Sequence, residues 1–512
     1  MSYTLGESKI GKTTTRLTVT SPSVDGSSEP YDVIIIGAGI VGSMLVRELS
    51  RFKLKLAIID KEDQPGLGVT KASLSYIHRN HMNAPGTERA KLCTGSQDRF
   101  RKLSAELGLP YRETDEINIA FDKEQEQQIR TRVDWAFKNG ETKFRVISKE
   151  EVARLEPRLT KDFIFAVHSE AHGMIHPPEW AFALVENAKA NHAKIFVDTE
   201  VLGLEKAQDS LWAVSTTRGV LRTRYVVNAA GLFADQIAWM AGDKDVKLIK
   251  TRGTYAIFDS AVSSMLRHLI YVAGLNFSYS QAMGPTVHGN IILGLGRFKE
   301  PIDRYDVRVT KEELECILKM GKQLIPDLPE KDVITSFAGI KSTNNLAAPE
   351  DFYVGVSGVS PTLIYALICS PGVTGSPGIT RRIIELLSNA GLDLVEKPDF
   401  NPYREKPFRF KDASEKERRQ AIAKDPRCGH LICRCEQVSE AEIVDAIHRG
   451  ARSIDGVKQL TRAGMGRCQG GFCGPWILKI LSSELGIPPE KVTRKGKGSE
   501  EVLRWNVEGD LQ

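Results

Sequence analysis

Tyr31-Asp-Val-Ile-Ile-Ile-Gly37-Ala-Gly39-Ile-Val-Gly42 is the stretch from which the rest of this 512-residue chain is read. The apolar, β-branched run Tyr31–Ile36 suits a buried parallel strand. The helical pattern MLVRELSRF follows the glycines, and a second apolar strand, Lys55-Leu-Ala-Ile-Ile, ends in Asp60. A bare GxGxxG is weak evidence. Here it has a strand before it, a helix after it and an acid 18 residues beyond Gly42, so it reads as a dinucleotide-binding βαβ unit. Gly37 allows the tight turn, Gly39 admits a pyrophosphate to the helix N-terminus, and Gly42 lets helix and strand pack closely. Asp60 is placed to accept hydrogen bonds from ribose hydroxyls.

FAD and NAD share this unit, and a distant element separates them. Arg222-Thr-Arg-Tyr-Val-Val-Asn-Ala-Ala-Gly231 is a strand ending in a glycine turn, followed by a helix from Leu232. Strands around Lys194–Val201 and Leu211–Thr217 read as a β-meander leading into it. Such a remote completion of the first unit is how two-domain FAD proteins are wired. Later, Ser370-Pro-Gly-Val-Thr-Gly-Ser-Pro-Gly378 opens the helix TRRIIELLSNAG, whose N-terminus suits the anionic edge of a reduced flavin. Between these parts, Thr310-Lys-Glu-Glu313 forms a capping box, and Pro178 is expected at the first position of the helix EWAFALVENAKA.

Eight cysteines are distributed unevenly. Cys93, Cys316 and Cys369 are scattered, and each is read as a small buried apolar residue. Cys433-Arg-Cys435, then 32 residues, then Cys468-Gln-Gly-Gly-Phe-Cys473 gives C-x-C-x32-C-x4-C, with Cys428 outside the spacing. Four thiolates suit a [2Fe-2S] cluster or Zn²⁺. Ser439-Glu-Ala-Glu442 caps a short helix ending near Gly450, and another helix starts after Cys473. Helix N-termini, with Arg434 and Arg467, supply positive charge to the thiolates.

Composition sets the outer bounds. Apolar residues make up 41% and charged residues 26%, and 70 basic against 65 acidic groups leave a net charge of +5. That balance gives no pull toward nucleic acid, and no apolar run is long enough to span a bilayer. The first residues lack the apolar h-region of a secretory signal, so none is expected. A cytoplasmic location is expected, with partners as the route to an inner membrane face. Residues 1–30 read as a flexible tail, 391–427 as a solvated linker, 428–495 as a metal-binding domain and 496–512 as a second tail. The expected class is α/β: a Rossmann-like FAD-binding domain (about 31–100, 190–240 and 335–390), an interleaved α+β substrate domain (about 100–190 and 240–335) and a small α-helical C-terminal domain.

The segments SYIHRNHMNAPGTERAKL, SEAHGMIHPPEWAFALVENA, VVNAAGLFAD, TRGTYAIFD, PTVHGNIILG and ITSFAGIKS resemble the anaerobic-type FAD-dependent glycerol-3-phosphate dehydrogenase large subunit. That family lies within the glycine-oxidase/D-amino-acid-oxidase-like flavoproteins, and its relatives include L-2-hydroxyglutarate oxidases. ICRCEQVSEAEIVDAI and GMGRCQGGFCGP resemble the bacterioferritin-associated-ferredoxin-like [2Fe-2S] domain, which implies iron–sulfur rather than zinc on Cys433, Cys435, Cys468 and Cys473. The resemblance implies oxidation of sn-glycerol 3-phosphate, with electrons passing to a quinone or partner subunit in a homo- or hetero-oligomer. Alternatives are a dehydrogenase of a 2-hydroxy acid or an amino acid, and a non-catalytic electron relay. The resemblance also implies a flavin-binding set of Gly37, Gly39, Ile40, Val41, Gly42, Asp60, Lys61, Ser73, Ser75, Val201, Ala230, Gly231, Gly339, Gly372, Val373 and Thr374. His78 matches an active-site Ile-His segment, and Arg79, Arg252 and Lys341 are candidates for a small anionic substrate. The chain departs from its relatives at Arg79-Asn80, at Lys341 where Arg is usual, and at His288 where Asp is usual.

Overall fold

The structure, a computed structural model, describes residues 29–273, 281–298 and 303–502. The expected tail 1–30 lies almost wholly outside the described residues, as does the end of the C-terminal tail. Tyr31–Ile36 forms the heart of an eight-stranded sheet, as its apolar composition dictates. It pairs in parallel with Leu56–Ile59 on one side and Gly219–Asn228 on the other. Leu363–Leu367 and Lys194–Phe196 extend the parallel set outward, and Tyr353–Val356 closes one edge antiparallel. Lys194–Phe196 is therefore a parallel edge strand. The meander begins only at Val201–Lys206 and runs through Trp212–Thr216 into Gly219–Asn228.

The helices Ile40–Leu49, Pro177–Ala190 and Gly372–Asn389 cover one face of this sheet. Met44, Leu45, Leu49, Trp180, Leu184, Ile379 and Ile383 are all fully buried there. Each such side chain contributes about 1.5–3 kcal/mol by leaving water, so this layer is rigid. Two expectations change. Pro177–Ala190, placed by sequence with the substrate unit, packs on the dinucleotide-binding helix because its apolar residues match that helix's inner face. Pro177, not Pro178, takes the first helical position.

A second sheet of nine strands stands beside the first. Its order is Val333–Asn344, Leu248–Phe258, Ile291–Phe298, Gln281–Pro285, Leu269–Val272, Arg112–Ala120, Phe165–Met174 and Tyr76–Ile77, with Phe144–Val146 also on Phe165–Met174. The capped helix Lys311–Leu324 buries Ile317 and Leu324 on one face of it. Cys93 and Cys369 are buried as expected, but Cys316 is exposed because it falls on the outer side of that helix.

The expected linker 391–427 is instead a strap. Val395 and Lys397 bond the backbone of Lys53 and Arg51. Asn401 exchanges hydrogen bonds with Asn191 at 2.9 Å, and Asn187 donates to the carbonyls of Asn401 and Tyr403 at 3.1 Å. Arg404 meets Glu186 at 2.5 Å. Polar residues in the strap thus satisfy backbone and side-chain groups of the body instead of water. The strap leads to a small domain of three helices, Glu440–Arg449, Ile454–Thr461 and Gly474–Leu485, and a two-stranded ribbon. Phe182 of the first body enters the core of this domain. Arg449–Glu186 at 2.6 Å, Arg409–Glu179 at 2.9 Å and Arg462–Asn290 at 3.0 Å seal the contact. Among the described residues no helix is long and apolar enough to cross a membrane.

Candidate active site and cysteine centre

Three glycine-bearing chain segments meet at one groove between the two sheets. The first is the N-terminus of Ile40–Leu49, contributing Gly39, Ile40 and Val41; the second is the turn Ala229–Leu232; the third is the N-terminus of Gly372–Asn389. That last helix begins eight residues before the Thr380 start read from sequence, so Gly372, Val373 and Thr374 lie in its first turn with Pro377 inside it. Ser73, Ser75, Tyr76, His78, Tyr255, Lys341 and Ser342 are also in the lining.

The turn geometry fits a dinucleotide. Gly37 has φ +104°, and a Cβ there would stand 2.4 Å from the Ala229 carbonyl oxygen. A Cβ on Gly42 would stand 1.9 Å from the Gly37 carbonyl oxygen, so helix and strand touch as that motif requires. A Cβ on Gly39 meets only Thr70 Oγ1, at 3.2 Å, and otherwise points into the groove. This is a cradle that a side chain would fill, where a pyrophosphate has access to the helix N-terminus. Thr70, missed by sequence reading, accepts from the Ile40 N–H at 3.0 Å and orders the turn. Asp60 accepts from the Ala38 N–H at 2.6 Å and from the Glu62 N–H at 2.9 Å. Burial pushes its carboxyl up to about 6, against the lowering effect of those two N–H groups.

Not every expected residue reaches the groove. Val201 is packed in the core of the first sheet. Lys61 lies over the Phe233 ring at 3.8 Å, and Gly339 backs onto Ala72, whose carbonyl oxygen a Cβ would approach to 2.6 Å. Arg79 pairs with Glu141 at 2.8 Å and donates to the Glu170 carbonyl. Arg252 pairs with Asp306 at 2.9 Å and with Glu313. The ladder explains Arg252. Lys341 stands opposite Thr251, while Arg252 stands opposite Ile340. Directly paired residues share a face and neighbours alternate, so the two cations project from opposite faces. Lys341 lines the groove, together with Tyr255 from the register of Gly253 and Thr251; Arg252 faces the helix Lys311–Leu324.

Behind His78 sits a group that no motif announced. Glu116, His81 and His172 are buried and close around it. They come from three separate segments, so nothing local in the sequence joins them.

The four motif cysteines form a second centre. Cys435 and Cys468 sulfurs are 3.9 Å apart at the surface, while Cys433 and Cys473 are buried and hydrogen-bonded to each other. The Cys433 thiol is pushed down to about 6, first by the hydrogen bond from Cys473 and then by backbone N–H groups of Gly464 and Glu436. Cys473 is the N-cap of Gly474–Leu485. The loop between carries left-handed residues at Arg462, Gly464, Gln469 and Gly470, and N–H groups of Gly464 and Gly470 reach the sulfurs of Cys433 and Cys468. A Cβ on Gly466 would stand 2.3 Å from Cys435 Cβ. Four sulfurs from two loops, with N–H donors around them, fit an iron–sulfur cluster. Cys428 sits apart in the turn Pro426–Gly429, its thiol raised by burial.

Comparison with known proteins agrees with both centres. Residues 32–386 match the family model described as FAD dependent oxidoreductase, and residues 431–483 match the BFD-like [2Fe-2S] binding domain. The chain is 35% identical over 472 residues to a glycerol 3-phosphate dehydrogenase of Caloramator mitchellensis, covering 92% of this chain and 97% of that one. It is 26% identical to a glycerol 3-phosphate oxidase of Mycoplasma pneumoniae, over 73% of this chain and 98% of that one. The structure superposes on the FAD-bound, dithionite-reduced L-alpha-glycerophosphate oxidase of Mycoplasma pneumoniae with a TM-score of 0.69 at 25% identity, covering 74% of this chain and 100% of that chain.

Proposed function

The chain belongs to the FAD-dependent oxidoreductase family, and on that premise we propose that it oxidises sn-glycerol 3-phosphate to dihydroxyacetone phosphate. The observation that carries this is the match of 92% of its length, cysteine domain included, to a glycerol 3-phosphate dehydrogenase. FAD, when bound, supplies the hydride acceptor, and the [2Fe-2S] cluster supplies a one-electron exit toward a quinone or a partner subunit. The chain's own residues do the rest. The Gly37–Gly42 turn and the Ala230–Gly231 turn hold the dinucleotide, and Gly372–Thr374 present a helix N-terminus to it. His78 takes the substrate's hydroxyl proton at Nε2 as the C2–H hydride departs, leaving the ketone. Lys341 is a cation of the groove lining with no carboxylate partner among the described residues, and it holds the phosphate with Ser342 beside it. Lys is a point charge rather than a bidentate fork, so its hold on the phosphate is less directional than an arginine's.

Anaerobic addition of glycerol 3-phosphate to the oxidised protein is expected to bleach the flavin. Bleaching by a 2-hydroxy acid or an amino acid instead would reassign the substrate, and no bleaching by any of them would leave only a relay. Lys341→Ala removes a charged hydrogen-bond partner worth about 1.5–3 kcal/mol. kcat/KM should fall about ten- to a hundredfold, mostly through KM. Arg252→Ala should disturb KM much less, since its charge is spent on Asp306 and Glu313.

The position of Asp60 gives a pH dependence. Burial pushes its carboxyl up to about 6, and hydroxyl donors from a ribose favour only its ionised form. Below pH 6 it must lose a proton to bind, so FAD affinity should fall as pH drops through 6, by up to about tenfold per unit, and stay flat above pH 7. Titration of FAD into deflavinated protein at pH 5, 6 and 7.5 tests this. Equal affinity across the three excludes Asp60 from the ribose site.

A further inference from the structure

Below the groove lies a carboxylate that the reaction so far leaves without a task. Glu116 is fully buried in the strand Arg112–Ala120, and three imidazoles converge on it. His81 Nε2 is 3.0 Å from Oε1; His78 Nδ1 and His172 Nδ1 are 3.6 Å and 3.8 Å from Oε2. Asn118 Nδ2 donates to Oε1 at 2.7 Å. Burial raises the Glu116 carboxyl, but the imidazoles around it, His81 foremost, outweigh burial and hold it well below the usual carboxylate range.

Backbone partners fix two of the three rings. A carbonyl can only accept, so His81 Nδ1, 2.7 Å from the Arg79 oxygen, carries a proton. An amide N–H can only donate, so His172 Nδ1, 3.4 Å from the Arg79 nitrogen, is bare, and its Nε2 proton points at Ser169. His172 is then neutral, as its burial requires, with its pKa pushed down to about 3. His81 Nε2 stands 3.0 Å from Oε1 without a hydrogen bond to it, and Asn118 is the side chain that donates to that oxygen. That leaves His78 Nδ1 and Glu116 Oε2, both buried, both without a hydrogen-bond partner, facing each other. Catalytic hydrogen bonds are often this long before substrate arrives. The remaining charged and titratable neighbours are engaged elsewhere: Arg79 with Glu141, Arg132 of the helix Lys123–Lys138 over the Tyr271 ring, and the Tyr76 hydroxyl with the Pro285 carbonyl.

We propose that Glu116 is the positioning carboxylate of His78: it accepts the Nδ1 proton and so keeps Nε2 bare on the groove side, while the hydrogen bond from Asn118 holds the carboxylate in place. This rests on the reading of His78 as the base. When His78 takes the hydroxyl proton at Nε2, the imidazolium keeps its second N–H on Glu116, and that carboxylate balances the new charge.

The test uses the full FAD-loaded chain. Ring ¹⁵N spectra of wild-type protein labelled at histidine should show His78 as the Nδ1–H tautomer, and a bare Nδ1 would overturn the proposal whatever the activity. Glu116→Gln offers an amide donor that favours the wrong tautomer. Flavin reduction by glycerol 3-phosphate should then slow about a hundredfold or more, with substrate affinity within about threefold, and the base limb of its pH profile should move to lower pH because a nearby anion is gone. Glu116→Asp should keep the tautomer and recover part of the rate. An unchanged rate and profile in Glu116→Gln would overturn the proposal. Equal loss in both variants with lost flavin would also overturn it, since that is a folding role. If wild-type flavin is not reduced by glycerol 3-phosphate at any pH, the substrate reading fails instead, and the ¹⁵N spectra still judge Glu116.

Discussion

Cys468→Ser protein should purify with a normal complement of FAD and no iron–sulfur cluster. Wild-type protein prepared anaerobically should carry about two iron and two sulfide per chain; the variant should carry neither. Cys468 is exposed, and its sulfur faces Cys435 at 3.9 Å, so the substitution removes a ligand without cutting into the domain's core. Substrate should still bleach the flavin at the wild-type rate, because the groove shares no residue with the cysteine loops. Transfer onward to a quinone or partner should fall to background. Cys428→Ser should leave iron and spectrum unchanged, since that residue sits in the turn Pro426–Gly429. Zinc without sulfide in the wild type would refute the cluster. Normal onward transfer by Cys468→Ser would make the cluster structural.

Gly39→Val and Gly42→Ala should fail in different ways, though both lie in one six-residue turn. A side chain on Gly39 meets only the Thr70 hydroxyl, so the chain folds around it. The two added methyls then occupy the pyrophosphate's place, and flavin content should drop from about one per chain to background. A methyl on Gly42 meets the Gly37 backbone at 1.9 Å and Ile35 at 3.3 Å. Backbone cannot step aside as a flexible side chain can. Overpacking of this kind costs about 1–3 kcal/mol or more, and Gly42→Ala should be found mostly insoluble or with a much lowered melting temperature. A yellow, stable Gly39→Val protein would remove the turn from the cofactor site.

What could be read from sequence follows the range over which each feature is encoded. The Gly37–Gly42 turn, the Asn228–Gly231 strand end and the cysteine spacing are short patterns whose physics is local, and both centres were legible from them. Period-two alternation sets Arg252 and Lys341 on opposite faces only once the strands are aligned with Thr251 opposite Lys341. That alignment is a tertiary fact, and without it two basic residues in motif-bearing segments read as one site. Glu116, His81 and His172 were illegible for a stronger reason. Their strand, turn and neighbouring strand meet only after the second sheet forms, and a buried Glu in a strand looks like any other polar residue on an outer face. The strap was half legible: its nine basic and five acidic residues over 401–427 suggest solvent, and the helix Glu415–Lys424 indeed buries none of its residues, whereas Arg404 and Arg409 use their charge on Glu186 and Glu179 of the body.

That strap bears on how electrons travel. A cofactor domain on a loose tether finds its donor by diffusion, and its encounter rate depends on tether length and solvent viscosity. Here the connecting segment is pinned at Arg51, Lys53, Asn187 and Asn191 before it reaches the cysteine domain, and Phe182 plugs that domain onto the body. There is no slack for a search. Packing, and not tether length, sets how far the four cysteines stand from the groove, so transfer between cofactors held at the two places would not wait on a swinging arm and should not slow with solvent viscosity.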